Sequence, residues 1–230
     1  MTTYSVATNV TSPTTSGTTT RTFSHTSVKV GNVTFLVIAW MASTTNINSI
    51  SSPNASWATV QAKTTGAIGA NTWAFQMFMG ISTSTAADTV TVVFSAAPTV
   101  NPQVDYMEFT ANWLGNNPAN WLFKVVAPVF QTTGTAITWP SLTGFSFDDF
   151  FVGYGFMGGG AFSGINGTPA GFIYNAGGTN GNPFCWHLTY GVGPSQPVGT
   201  QAASGAWMVF AAVFALYPSL VPATIDAGST

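Results

Sequence analysis

In residues 72–82, TWAFQMFMGIS, the odd positions are Trp73, Phe75, Met77, Met79 and Ile81, whereas the even ones are Thr72, Ala74, Gln76, Phe78 and Gly80. Successive side chains on a strand point to opposite faces, so this alternation predicts a strand with its odd face in a core. Residues 88–95 repeat the pattern, with Val90, Val92 and Phe94 opposed by Thr89, Thr91 and Val93. By contrast, VTFLVIAWMA at 33–42 is apolar on both faces. That suits a central strand covered on both sides, or one facing a subunit partner. The run AWMVFAAVFALY, Ala206 to Tyr217, is followed by Pro218. It falls short of the roughly 20 residues of a spanning helix and predicts a buried strand pair or one long core strand.

No long segment shows the i, i+3, i+4, i+7 pattern of an amphipathic helix, while β-branched and aromatic runs recur between Gly, Pro, Asn and Ser. Further strands are predicted near 18–30, 57–64, 103–111, 122–130, 135–139, 149–157, 171–176 and 184–191. About twelve short strands separated by turn signals predict an all-β protein, a single jelly-roll-like antiparallel β-sandwich. The sandwich is expected over 18–218, with an N-terminal arm at 1–17 and a C-terminal tail at 219–230. The arms are expected to pack on neighbouring subunits. The tract GGGAFSGINGTPAG, 158–171, is too glycine-rich for a helix and is expected to be the longest loop. No clean internal repeat is visible, although two strand-rich halves could each supply a sheet layer.

Composition alters this picture in one respect. Charged residues make up 4% of the 230, against roughly 25% in an average domain. At 46% hydrophobic and 14% aromatic the chain should nevertheless fold, with a surface of Thr, Ser, Asn, Gln and Gly. Such a surface lacks the charge repulsion that keeps proteins apart, which suits a chain whose purpose is association. Four basic residues cannot neutralise a phosphate backbone, so no nucleic-acid partner is expected. The N-terminus MTTYSVATNVTSPTT has neither a basic n-region nor an apolar h-region, so no secretory signal is expected. Cys185 is the lone cysteine and has no partner for an intrachain disulfide.

Candidate chemistry is sparse. Gly153, Gly155 and Gly158 spell GxGxxG, but the residues that follow do not propagate a helix, and no acid occurs between Asp149 and Asp226. A dinucleotide site needs both; a glycine-rich strand and turn is expected instead. The bulky residues Phe150, Val152, Tyr154 and Phe156 share one face. The opposite face, with Gly153 and Gly155, would let another backbone or an aromatic ring approach closely. Asp148 and Asp149 are expected to form the entry turn of this strand, with Ca²⁺ binding as a minor alternative. Cys185 and His187 share a strand face but stand about 7 Å apart, too far for a nucleophile and its base. No catalytic residue is therefore assigned, and no cofactor. Trp57, Trp113, Trp121 and Trp139 lie at predicted strand ends or in loops beside Asn, Thr or Pro. Aromatic faces among amides are the usual chemistry for stacking on neutral sugars; the competing expectation is that these rings plug the sandwich ends or lie at a subunit contact.

The ordered phrases VGNVTFLVIAWMAS, SISSPNASWATVQAKTTG, NTWAFQMFMGISTSTAADTVTVVFS, VDYMEFTAN, FSFDDFFVGYGFM and GAWMVFAAVFALYP span most of 18–218. Together they resemble a jelly-roll domain frequent in bacteriophage virion proteins, especially minor tail and capsid-decoration proteins. The chain departs from that pattern in its low charge and its heavy use of Phe, Trp and Met. The resemblance implies a sandwich on the virion exterior without catalysis. The resulting expectation is a homo-oligomeric structural protein bound to other virion proteins of the capsid or tail, made in a host cytoplasm and carried outside on the particle. Its alternative is a carbohydrate-binding module for host surface glycans. No membrane span is expected.

Overall fold

The computed structural model describes residues 8–10, 18–27, 29–41, 44–109, 122–143, 149–168, 170–176, 181–189 and 194–214. They form eighteen strands and no α-helix. The first half contains β1 (Thr8–Val10), β2 (Thr20–His25), β3 (Val33–Met41), β4 (Ile47–Ser51), β5 (Ala55–Ile68), β6 (Asn71–Ser82), β7 (Asp88–Phe94) and β8 (Gln103–Phe109). The second contains β9 (Leu122–Val125), β10 (Val129–Gln131), β11 (Ala136–Thr138), β12 (Leu142–Thr143), β13 (Asp149–Met157), β14 (Phe162–Thr168), β15 (Ile173–Asn175), β16 (Phe184–Thr189), β17 (Pro194–Gln201) and β18 (Trp207–Phe214).

The all-β, antiparallel expectation holds, but the strands form four sheets rather than the two of a single sandwich. In the first half, one sheet runs β1-β8-β3-β6-β5 and the other β2-β7-β4. In the second, one runs β10-β18-β13-β16-β15 and the other joins β11, β12 and β14 to β17. β9 and β10 lie along one edge of β18, opposite β13. β11 and β12 likewise lie along one edge of β17, opposite β14. Each of these pairs is one strand interrupted by a proline, Pro128 or Pro140, which has no N–H to give a ladder. Counted that way, the described residues of each half form eight strands, in the orders 1-8-3-6-5 and 2-7-4. The chain repeats its topology, a repeat invisible in its spelling.

Three cores separate the four layers. The middle one joins the halves: Phe35, Phe75, Met77 and Phe109 of the first meet Phe150, Tyr154, Met208 and Phe214 of the second. Its ring contacts are reciprocal. Phe109 of β8 packs edge-on against Phe150 of β13, and Phe35 of β3 packs against Phe214 of β18, with centroids 5.0 and 4.9 Å apart. Eighth strand meets third in both directions, as at a two-fold interface between like subunits. The opposite face of β3, carrying Leu36, Ile38 and Trp40, packs with Val90, Val92 and Phe94 against the first half's outer sheet. Trp207, Val209 and Val213 of β18 turn away from the middle core into the second half's outer core. Every side chain of β18 is buried. This is why WMVFAAVF is apolar throughout and VTFLVIAWM apolar but for Thr34: both faces of these strands are covered.

The odd face of 72–82 enters the middle core as expected, and Ala206–Tyr217 supplies one long core strand, β18, within the described residues. Three expectations change. The tract 158–171 contains β14, an edge strand whose ladder shifts register between Ser163 and Ile165, with Gly164 at φ 63°. Positive φ at glycine and a bulge hide such a strand from any period-2 reading. Within the 1–17 arm, Thr8–Val10 pair with Asp105–Met107 of the same chain. β4 and β17 lie in stretches where no strand is predicted, because Ser, Gln, Gly and Pro are frequent in them. The 219–230 tail lies outside the described residues. Among those described, no helix is long and apolar enough to cross a membrane.

Candidate functional site

Of the four candidate tryptophans, the described residues include Trp57 and Trp139. Trp113 and Trp121 lie outside the described residues. Trp139, between β11 and β12, is 1% exposed, so it offers no ring face to a sugar. It lies in the second half's outer core, edge-on to Phe162 at 5.7 Å, with its Nε1 donating to the Tyr154 carbonyl at 3.1 Å. Its ring occupies the space that the missing side chains of β13 leave open: a Cβ on Gly153 would stand 2.8 Å from it. The glycines of GxGxxG thus receive an indole, not a pyrophosphate. Trp57, on β5, is half-buried; its Nε1 donates to Ser52 Oγ at 3.0 Å, and its ring covers Gly80.

Cys185 is fully buried in the second half's outer core, and burial pushes its thiol well above the ordinary range. His187 rests on Phe172, ring centroids 4.9 Å apart, and burial pushes its imidazole down. Neither is poised as nucleophile or base. Asp149 opens β13 opposite Thr189; Asp148 lies outside the described residues. Among those described, no group of His, Cys, Asp and Glu could hold a metal ion.

Two buried polar clusters escaped the sequence reading. At one end of the first half, Ser27 Oγ donates to Glu108 Oε1 at 2.6 Å, and the Asn32 amide donates to the same oxygen. His25 Nε2 lies 3.2 Å from Thr34 Oγ1, with Asp88 as its cross-strand neighbour. Burial pushes the His25 imidazole down, against the pull of Glu108 and Asp88. Between the halves, Tyr154 Oη donates to Asp105 Oδ2 at 2.6 Å, and Asn182 Nδ2 donates to the same oxygen at 3.0 Å. Asn182 Oδ1 accepts from the Met157 N–H at 2.9 Å. Burial, then the Asp105 charge, raises the Tyr154 phenol well above its ordinary range. The signal for His25 was present in the sequence: β2 alternates, placing Arg21, Phe23 and His25 inward.

These clusters invert the usual distribution of charge. Where side chains are described, all three acids, Asp88, Asp105 and Glu108, are buried, as is Arg21. Among the charged residues with described side chains, only Lys29, Lys63 and Lys124 are at least partly exposed.

One cleft, of about 400 Å³, opens where the two halves meet. Asn71, Trp73 and Gln103 line it from the first half, and Phe156, Gly158 and Gly160 from the second. Trp73 and Phe156 pack with centroids 4.9 Å apart. Asn71 follows a tight hairpin in which Ile68 pairs with Asn71 and Gly69 has φ 63°. Among the described residues, no ionisable side chain lines the cleft.

No protein-family model, curated protein or solved structure matches the chain.

Proposed function

We propose that this chain is a non-enzymatic structural protein that works by assembly, a capsid-decoration or minor tail protein on the exterior of a phage particle. In this reading each half is a jelly-roll variant. An eight-stranded jelly roll has sheets ordered 1-8-3-6 and 2-7-4-5; here the fifth strand of each half has joined the first sheet. The observation that carries the reading is the inverted charge distribution. The acids are buried wherever their side chains are described, and the described surface carries only three lysines, Lys29, Lys63 and Lys124, among Thr, Ser and Gly. Like-charge repulsion, which normally limits self-association, is nearly absent from such a surface.

Native mass spectrometry and electron microscopy of the purified chain test this. Defined homo-oligomers are expected, and Thr22→Glu with Thr138→Glu, on exposed positions of the two outer sheets, should dissociate them without altering circular dichroism. A monomer at every concentration would sink the proposal.

A further inference from the structure

We propose that Asn166 is a site of spontaneous modification, losing its side-chain amide to attack by the backbone nitrogen of Gly167 and ending as aspartate and isoaspartate. This goes beyond the assembly reading and does not depend on it. The two residues lie near the end of β14, where Asn166 is exposed. Asn166 Oδ1 accepts from the Gly167 N–H at 2.8 Å, so the side chain is already folded back on the nitrogen that would close the ring. The sheet leaves that N–H to it. Gly167 stands opposite Pro197, which has no N–H, and the Pro197 carbonyl is turned to the far side, where it accepts from Trp139 N–H at 3.1 Å. Gly167 therefore has no ladder bond to its partner, and its N–H points to the open edge of the sheet.

The reaction needs only water. The Gly167 nitrogen gives up its proton to the solvent and bonds to Asn166 Cγ; the Cγ–Nδ2 bond breaks, and the nitrogen leaves as ammonia. A five-membered succinimide remains, closed by groups that proximity has already brought together. Water then opens one of its two carbonyls. One opening restores the backbone with an aspartate, and the other routes the backbone through the former side chain as isoaspartate. Glycine makes the attacking nitrogen accessible because it sets no Cβ beside it. The fold also holds that position to glycine: Gly167 has φ 154°, and a Cβ there would stand 2.5 Å from the Gln196 carbonyl.

Other asparagines are less well placed. Asn182 is buried and precedes Pro183, which has no proton to lose, and Asn32 is buried against Glu108. Asn71 is exposed but precedes β-branched Thr72, which crowds the nitrogen. The second Asn-Gly pair of the sequence is Asn180-Gly181, whose asparagine lies outside the described residues. Conversion at Asn166 would place an exposed carboxylate on a chain whose described acidic side chains are all buried.

The full chain, incubated at neutral and at mildly alkaline pH, is digested with chymotrypsin and read by mass spectrometry against an unincubated control. Cleavage after Phe162 and Phe172 gives a peptide that holds Asn166 but not Asn180. Asn166 should convert at least tenfold faster than Asn71, faster still at the higher pH, and to both aspartate and isoaspartate. Asn166→Gln, which would have to close a six-membered ring, should keep its amide. The proposal is overturned if Asn166 converts no faster than Asn71, or if the Asn166→Gln amide is lost as fast. Aspartate as the only product would also overturn it, since direct hydrolysis by water gives that result without Gly167.

Discussion

The two halves share a strand order but fill their interiors by different means. On the face of β3 turned away from the other half, Leu36, Ile38 and Trp40 supply the packing. The same face of β13 carries Phe151, Gly153, Gly155 and Met157, and Trp139 arrives from the outer sheet to cover its glycines. The first half buries Arg21, His25, Asp88 and Glu108; the second has no Lys or Arg after Lys124. One topology therefore tolerates a self-filled face beside a charged cluster, or a glycine face filled by a borrowed ring. What the halves share is alternation and turn placement, not side-chain identity.

The sharpest break of this comparison is Trp139→Ala. No side chain of β13 can fill the vacated space above Gly153, so the loss of stability should reach about 3–5 kcal/mol by urea denaturation. Gly153→Ala attacks the same contact from the other side. Its Cβ would press on the Trp139 ring and on Cys185 Sγ, 2.7 Å away, and overpacking of this kind costs about 1–3 kcal/mol. A smaller loss in Gly153→Ala than in Trp139→Ala would match a ring that can shift but cannot be replaced. The reverse order would overturn the borrowed-ring account.

Tyr154→Phe tests the junction rather than either half. Asn182 still donates to Asp105, so the expected loss is on the order of 1 kcal/mol. It should also change the alkaline limb. The raised Tyr154 phenol stays protonated in the folded chain while the unfolded one ionises above about pH 10. Stability is then full below that pH and falls as pH rises toward the folded value. Cys185 adds a similar loss above about pH 9. In a Cys185→Ala background, Tyr154→Phe should remove most of the remaining alkaline dependence.

The smallest expected effect separates the halves by acid. The lowered imidazoles of His25 and His187 resist protonation when folded, whereas the unfolded chain takes up protons below about pH 6.5. Stability is full above that pH and declines as pH falls toward the folded values. His25→Gln should flatten the part of the decline due to the first half, and His187→Gln the part due to the second, in urea midpoints at pH 7.5 and 5. A slope unchanged by either variant would remove histidine as the cause.

Alternation made β6, β7 and the bulky face of β13 readable, and two-sided apolarity correctly marked β3 and β18 as covered strands. The close approach of a ring to Gly153 was legible too; that the ring would be Trp139 was not, because the two are distant in sequence and no local pattern joins them. β17 was missed because Pro194 and Pro197 read as turn, although Pro197 carbonyl accepts from Trp139 N–H. Of the cleft nothing was visible. Asn71 and Gln103 are unremarkable alone and meet Gly158 only because the halves stack face to face.

Stacking has one more consequence, for how such a chain avoids folding wrongly. In an ordinary amphipathic sheet a one-residue slip throws oily side chains into water, and that penalty polices the pairing. β8 and β3 are covered on both faces, so hydrophobicity alone would barely notice the error. Asp105 and Glu108 would notice. They sit on opposite faces of β8, each met by its own donors: Tyr154 and Asn182 on one side, Ser27 and Asn32 on the other. A slip would strand both carboxylates among aliphatic side chains at once. The few acids of this chain act as keys, and the lock each fits is cut on a different layer.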